Sequence, residues 1–123
     1  MSTQDTCCTI VPYFRIADGK LAEFKGLCRQ MMERVSNEPK CLFYGFSFDG
    51  DEAHCREGYL DANGLLVHNE NVADLFAEVQ KIATVTRMEV HGPAAELDKL
   101  RAPLATMQPQ FFTLEFGFRR QPV

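Results

Sequence analysis

Two β-type runs, Cys41 to Phe48 and Ala53 to Leu60, flank the dipeptide Asp49-Gly50, and that combination predicts an antiparallel hairpin. Along the first run Leu42, Tyr44, Phe46 and Phe48 point one way, while Cys41, Phe43, Gly45 and Ser47 point the other. Neither face is strongly polar. A sheet built on this hairpin therefore needs cover on both sides.

The rest of the chain supplies the other elements. Thr9 to Ile16 is rich in β-branched and aromatic residues and ends at Ala17-Asp18-Gly19, which predicts a first strand, with Pro12 pointing to an edge position or a bulge. From Lys20 to Ser36 the residues Leu21, Phe24, Cys28, Met31, Met32 and Val35 recur at helical spacing, and Asn37-Glu38-Pro39 stops the helix. After the turn Asp61-Ala62-Asn63-Gly64, Leu65, Leu66 and His68 open a short helix that breaks near Asn69-Glu70-Asn71. A second helical piece follows with Asn71 as its N-cap, Asp74 three residues on, and Val72, Leu75, Phe76, Val79, Ile82 and Ala83 as its buried stripe. Thr86 to His91 returns to strand. Ala95 to Met107 reads as a helix broken at Pro103, and Phe111 to Phe118 alternates as a last strand.

A length of 123 residues fits a single domain, 1–123, in which residues 1–7 are expected to be flexible. The net charge of −4 and the scattered basic residues exclude a phosphate-tracking stripe, so nucleic acid is not an expected partner. Lys20, Lys25, Arg29 and Arg34 share one helical segment, but Glu23 and Glu33 interrupt them and make a solvated face. No stretch reaches the ~20 apolar residues that a membrane-spanning helix needs, so no membrane is expected. The five cysteines Cys7, Cys8, Cys28, Cys41 and Cys55 form no C-x-x-C pair, and the start lacks a secretory pattern; both predict reduced thiols in a soluble, cytoplasmic protein.

The order strand, helix, strand, strand, helix, strand is the split unit of α+β, ferredoxin-like β-α-β-β-α-β domains, here with an extra broken helix and a C-terminal strand. We expect an antiparallel sheet. Helices can cover one of its faces, and the ten Phe leave rings on the other. A second copy of the chain, packed sheet on sheet about a two-fold axis, is the expected cover.

Glu57, Tyr59, Leu65 and His68 fall in the pattern Glu-x-Tyr-x5-Leu-x2-His. With the element order from Thr9 to Gly92, this resembles the antibiotic biosynthesis monooxygenase family of the dimeric α+β barrel superfamily. The resemblance implies a homodimer whose subunits each hold a pocket between helices and sheet. It also implies oxidation, in some members, of phenolic or quinol compounds by O₂ without an added cofactor. The aromatic in the motif is Tyr59 where the family commonly has Trp, and the chain has no Trp, which turns the resemblance away from the haem-degrading branch.

His68 reads as a candidate base or substrate anchor, because it titrates near neutrality and sits where such a pocket opens; it reads equally as a packed histidine bonded to backbone. Tyr59 and Glu57 share one face of their strand with Cys55 and Asp61, either as groups that orient a hydroxylated ring or as a half-solvated polar face. Phe76 is a candidate ring wall. Asn69, with Asn63 and Asn71, offers an amide to a substrate oxyanion, although turn and helix-start asparagines usually serve the backbone. His54 and His91 lack partners at metal-ligand spacing, and no metal or cofactor is expected. Cys28 reads as core, and Cys7-Cys8 would need a lowered pKa to react.

The expected function is that of a cofactor-independent monooxygenase acting on a small aromatic or quinol compound with O₂. The alternatives are a non-catalytic dimeric protein that binds a small ligand, and an isomerase or lactone-active member of the same superfamily.

Overall fold

The computed structural model describes residues 5–120. Its elements are β1 (Cys8–Ile16), α1 (Leu21–Val35), β2 (Cys41–Asp49), β3 (Glu52–Tyr59), α2 (Ala62–Asn71), α3 (Ala73–Gln80), β4 (Ala83–Gly92), α4 (Ala94–Leu100) and β5 (Gln110–Thr113), with a 3₁₀ turn at Ala105–Met107. They form one five-stranded sheet in the order β2-β3-β1-β4-β5. The first four strands pair antiparallel, as the split β-α-β order requires.

The sheet is mixed rather than antiparallel throughout, because β5 lies parallel to β4. A parallel neighbour needs a crossover, and the segment through α4 and the 3₁₀ turn provides it. The last strand is also shorter than alternation implies. It ends at Thr113, and Phe116 and Phe118 stand 81% and 77% exposed, so alternation beyond Thr113 reflects no pairing partner.

Pro12 does not mark an edge, since β1 is flanked by both β3 and β4. The other expectation holds: the β1–β4 register shifts between Tyr13 and Phe14, one residue on. A second shift, between Cys41 and Phe43 in β2, breaks that strand's simple alternation. Cys41 therefore packs inward with Tyr44 and Phe46 and Leu42 is exposed, while Phe43 keeps the far face that alternation gives it, where the Arg56 guanidinium lies 5.2 Å from its ring.

All the helices cover one sheet face. Phe24, Cys28, Met31 and Val35 of α1 and Leu75 and Val79 of α3 pack on Phe14, Ile16 and Ala53, while Leu65, Leu97, Leu100 and Leu104 pack on Ile10, Tyr59 and Val90. Leu21 and Met32, expected on the buried stripe of α1, are exposed. The outer sheet face carries Thr9, Val11, Phe43 and Arg56 beside a tilted Tyr13–His54 ring pair and a stacked His91–Phe112 pair.

Of the start expected to be flexible, residues 1–4 lie outside the described residues. In the rest, Thr6 Oγ1 donates to the Leu60 carbonyl at 2.6 Å, and the Cys7 amide donates to Asp5 Oδ1 at 3.0 Å. Among the described residues no helix is long and apolar enough to cross a membrane.

Candidate active site

A cavity of about 350 Å³ lies between the sheet and helices α1, α2 and α3. Its walls are apolar: Ile10, Phe14, Phe24, Met31, Phe46, Phe76 and Met88 among others. Among the described residues Glu57 and His68 are its only ionised-type side chains, with Tyr44 and Cys55 beside them. That size falls within the range of small-molecule sites.

Strand alternation brings Glu57 inward, since Ala53, Cys55, Glu57 and Tyr59 share the helix-facing side of β3. His68 reaches it from α2. That helix starts at Ala62, three residues earlier than its apolar pattern implies, because Asp61 caps it by accepting the Gly64 amide at 2.9 Å. The Gly64 bond first, and then Lys40, hold the Asp61 carboxyl below its usual range. His68 consequently stands in the last turn of α2, where the helix dipole favours a cation, and not in its first turn.

Both ring nitrogens of His68 face carboxylates. Nε2 lies 3.0 Å from Glu57 Oε1, and Nδ1 lies 3.2 and 3.1 Å from Oε1 and Oε2 of Glu38. The side chains of all three are 4–5% exposed. An imidazolium satisfies this arrangement with a donor on each nitrogen. Burial alone would lower the His68 pKa, but the two carboxylates together outweigh it and raise the pKa above the ordinary histidine range. The rings of Tyr44 and Tyr59, 5.2 and 5.0 Å away between centroids, complete the surroundings of the imidazole.

Each carboxylate has a further donor. Tyr59 Oη donates to Glu57 Oε1 at 2.7 Å, and Asn71 Nδ2 donates to Glu38 Oε2 at 2.7 Å and to the Arg34 carbonyl at 3.3 Å. Arg34 returns a bond to the Asn71 carbonyl at 3.0 Å and pairs with Asp74. This overturns Asn71 as an N-cap. It is the last residue of α2, α3 starts after Val72 without a side-chain cap, and the amide of Asn71 serves Glu38 instead.

Of the residues singled out by sequence, Glu57, His68, Asn69 and Phe76 line the cavity. Tyr59 stands behind Glu57, fully buried, and does not. Asn69 lies toward the mouth, with its amide near Met107 Sδ at 4.0 Å, and Asn63 instead accepts from Lys40 at 3.5 Å outside the cavity. Asp61 caps α2. The half-solvated reading of the Glu57 face fails, because the face is buried against helices. So does the backbone-bonded reading of His68.

Burial pushes the Cys55, Tyr44 and Tyr59 hydroxyl or thiol groups far above their usual ranges, with Glu57 adding to each. All three are proton donors at neutral pH. Burial likewise raises Cys7 and takes Cys8 up to about 12, so neither is poised as a thiolate. Cys28 is core. His91 bonds Glu89 and His54 packs on Tyr13, and no group of three metal-binding side chains occurs among the described residues.

Glu38 escaped sequence reasoning as a site residue. It sits in the turn after α1 directly before a proline, and that local explanation hides a contact 30 residues away. Asn71 reads from sequence as a cap or a donor to substrate, and its amide serves Glu38 instead.

This fold is that of the antibiotic biosynthesis monooxygenases. A candidate antibiotic biosynthesis monooxygenase from Nitrosomonas europaea matches with TM-score 0.67 and 15% identity over 76% of this chain and 96% of its own. A further antibiotic biosynthesis monooxygenase matches with TM-score 0.59 and 19% identity over 68% and 92%. MupZ from Pseudomonas fluorescens is 51% identical over 98% of this chain and 94% of its own, with TM-score 0.92. The chain belongs to the same family as MupZ. No protein-family model and no curated protein matches it.

Proposed function

We propose that this protein is an enzyme that moves a proton on a small, largely apolar molecule, with Glu57 as the base. The observation that carries this is the fixed Glu38–His68–Glu57 row ending at the cavity. His68, expected from sequence to be the base, has both nitrogens committed to carboxylates and becomes the positioning group. Tyr59 and His68 both bond Oε1 of Glu57, which fixes the carboxylate and leaves Oε2 without an N–H or O–H donor among the described residues. Oε2 takes the substrate proton. Tyr44, whose hydroxyl meets the weak acceptors Met31 Sδ, at 3.4 Å, and the Cys55 sulfur, offers a donor to the oxygen left behind.

Within this chemistry we take the monooxygenase reaction first, because the fold neighbours carry that name. A phenol or quinol that loses its proton to Glu57 becomes electron-rich enough to reduce O₂ itself, one oxygen atom entering the substrate and the other leaving as water. Phe76, Phe14 and Phe46 suit a ring. The same base supports isomerisation or lactone chemistry when the proton is returned elsewhere. Oxygen uptake with a panel of quinols, run beside absorbance change under nitrogen with unsaturated lactones, separates the two. Turnover of an accepted substrate that is unchanged in Glu57→Gln would sink the proposal.

We further propose that the outer sheet face pairs with a second copy, a reading supported by Val11, Tyr13, Phe43 and Phe112 on the face that no helix covers. Sedimentation at 13.9 kDa over a wide concentration range would overturn it.

A further inference from the structure

We infer that the cavity selects molecules whose buried end is an uncharged hydrogen-bond donor and turns away anions and cations alike. This rests on the proposed role of Glu57 and names the substrate class of that site. Three observations carry it.

First, among the described residues no lysine or arginine lines the cavity; its polar side chains are Glu57, His68, Tyr44 and Cys55, with Asn69, Gln80 and Thr106 elsewhere on the wall. Second, no outside cation balances the buried row. Glu38 is bonded by His68 and Asn71, and Glu57 by His68 and Tyr59, while Arg34 is taken by Asp74 and Lys40 by Asp61. With His68 charged and both carboxylates ionised, the row carries one surplus negative charge; with one carboxylate protonated it carries none. In neither state does it attract an anion, and in a site of low dielectric a like charge is strongly disfavoured.

Third, the cation the carboxylates need is already present. His68 lies between them and uses a donor toward each, so a ligand ammonium would leave water only to compete with an imidazolium and be repelled by it. An uncharged O–H or N–H meets none of these costs. It can donate to Glu57 Oε2, and the body of the molecule fills the ring-lined volume. A substrate that bears a carboxylate or phosphate elsewhere must keep it outside.

Three probes of nearly equal shape test this: 3-phenylpropanamide, 3-phenylpropanoate and 3-phenylpropylamine, titrated by calorimetry at pH 7 into the wild-type protein. We expect the amide to bind at least tenfold more tightly than either charged probe. In Glu57→Gln the carboxylate should recover, closing its gap to the amide to within about threefold, and Glu38→Gln should narrow the gap in the same direction should the first variant fold poorly. An amide that binds no tighter than the carboxylate, or an amine that binds tightest, overturns the inference. Binding alone is read, so loss of the catalytic proposal through unaffected turnover in Glu57→Gln would be seen separately from loss of this selectivity.

Discussion

His68 Nε2 and Glu57 Oε1 stand 3.0 Å apart inside a protein that leaves only 4–5% of either side chain to solvent. A contact of that burial is strongly destabilising when one partner is removed, because the other is left as an uncompensated charge.

Glu57→Gln keeps the shape and the bond from Tyr59 but removes the base. Turnover of an accepted substrate should fall by about 10²- to 10⁴-fold, the usual contribution of a positioned proton-transfer group. Circular dichroism should show the fold retained, and unchanged turnover would refute the role.

Glu38→Gln should lower the His68 pKa, since one of the carboxylates that raise it is gone. Histidine NMR titration reads this directly against His54 and His91. The sign for stability follows. A pKa raised in the folded state means that the contribution is fully present below the unfolded value of about 6.5 and is lost as pH rises through the folded value. Wild-type unfolding free energy should therefore decline across that window at up to about 1.4 kcal/mol per pH unit from this group. In Glu38→Gln the decline should begin at the same unfolded value, finish at lower pH and be smaller in total. A His68 shift that does not move in the variant would contradict the assignment.

Asn71→Ala removes the 2.7 Å donor to Glu38 and the second tie to the Arg34 carbonyl. A loss of about 1–3 kcal/mol is expected from urea unfolding, the usual result of leaving a buried acceptor without its partner. Were Asn71 a helix cap, Asn71→Ser would restore it. The structure predicts that Ser does not, because its side chain is too short to reach Glu38.

Gly64→Ala tests how tightly α2 is seated. A methyl group at Gly64 would meet Lys40 Cβ at 2.8 Å and Tyr59 Cβ at 3.4 Å, so backbone or strand must shift. The cost of overpacking, about 1–3 kcal/mol, should exceed the ~1 kcal/mol that alanine gains over glycine in a helix. Thermal unfolding checks it, and a more stable variant would show that α2 sits more loosely than described.

Periodicity made most of the architecture legible. The Asp49-Gly50 hairpin, the stripe of α1 and the broken passage from Ala95 to Met107 each follow from a local rule, and the structure has them. The misses lie where tertiary pairing decides. Phe111 to Phe118 alternates throughout, yet only Gln110 to Thr113 finds an edge to join. Leu42 and Cys41 exchange faces because of a register shift that no residue in β2 announces. In the site, alternation and the family pattern reached Glu57, Tyr59 and His68. Their division of labour was hidden, because it depends on Glu38, which arrives from the loop after α1 and occupies the nitrogen that a base would need free.

Glu96 of α4 accepts the Ala62 amide at 2.9 Å, at the first residue of the helix that holds His68. The C-terminal quarter of the chain thus acts as a strut on the helix that bears His68, as well as supplying Met107 and Thr106 to the cavity wall. Shortening the protein at the end of β4 would take away part of the cavity wall and a helix support at once, so the segment that looks most like an appendage is built into the structure around the cavity.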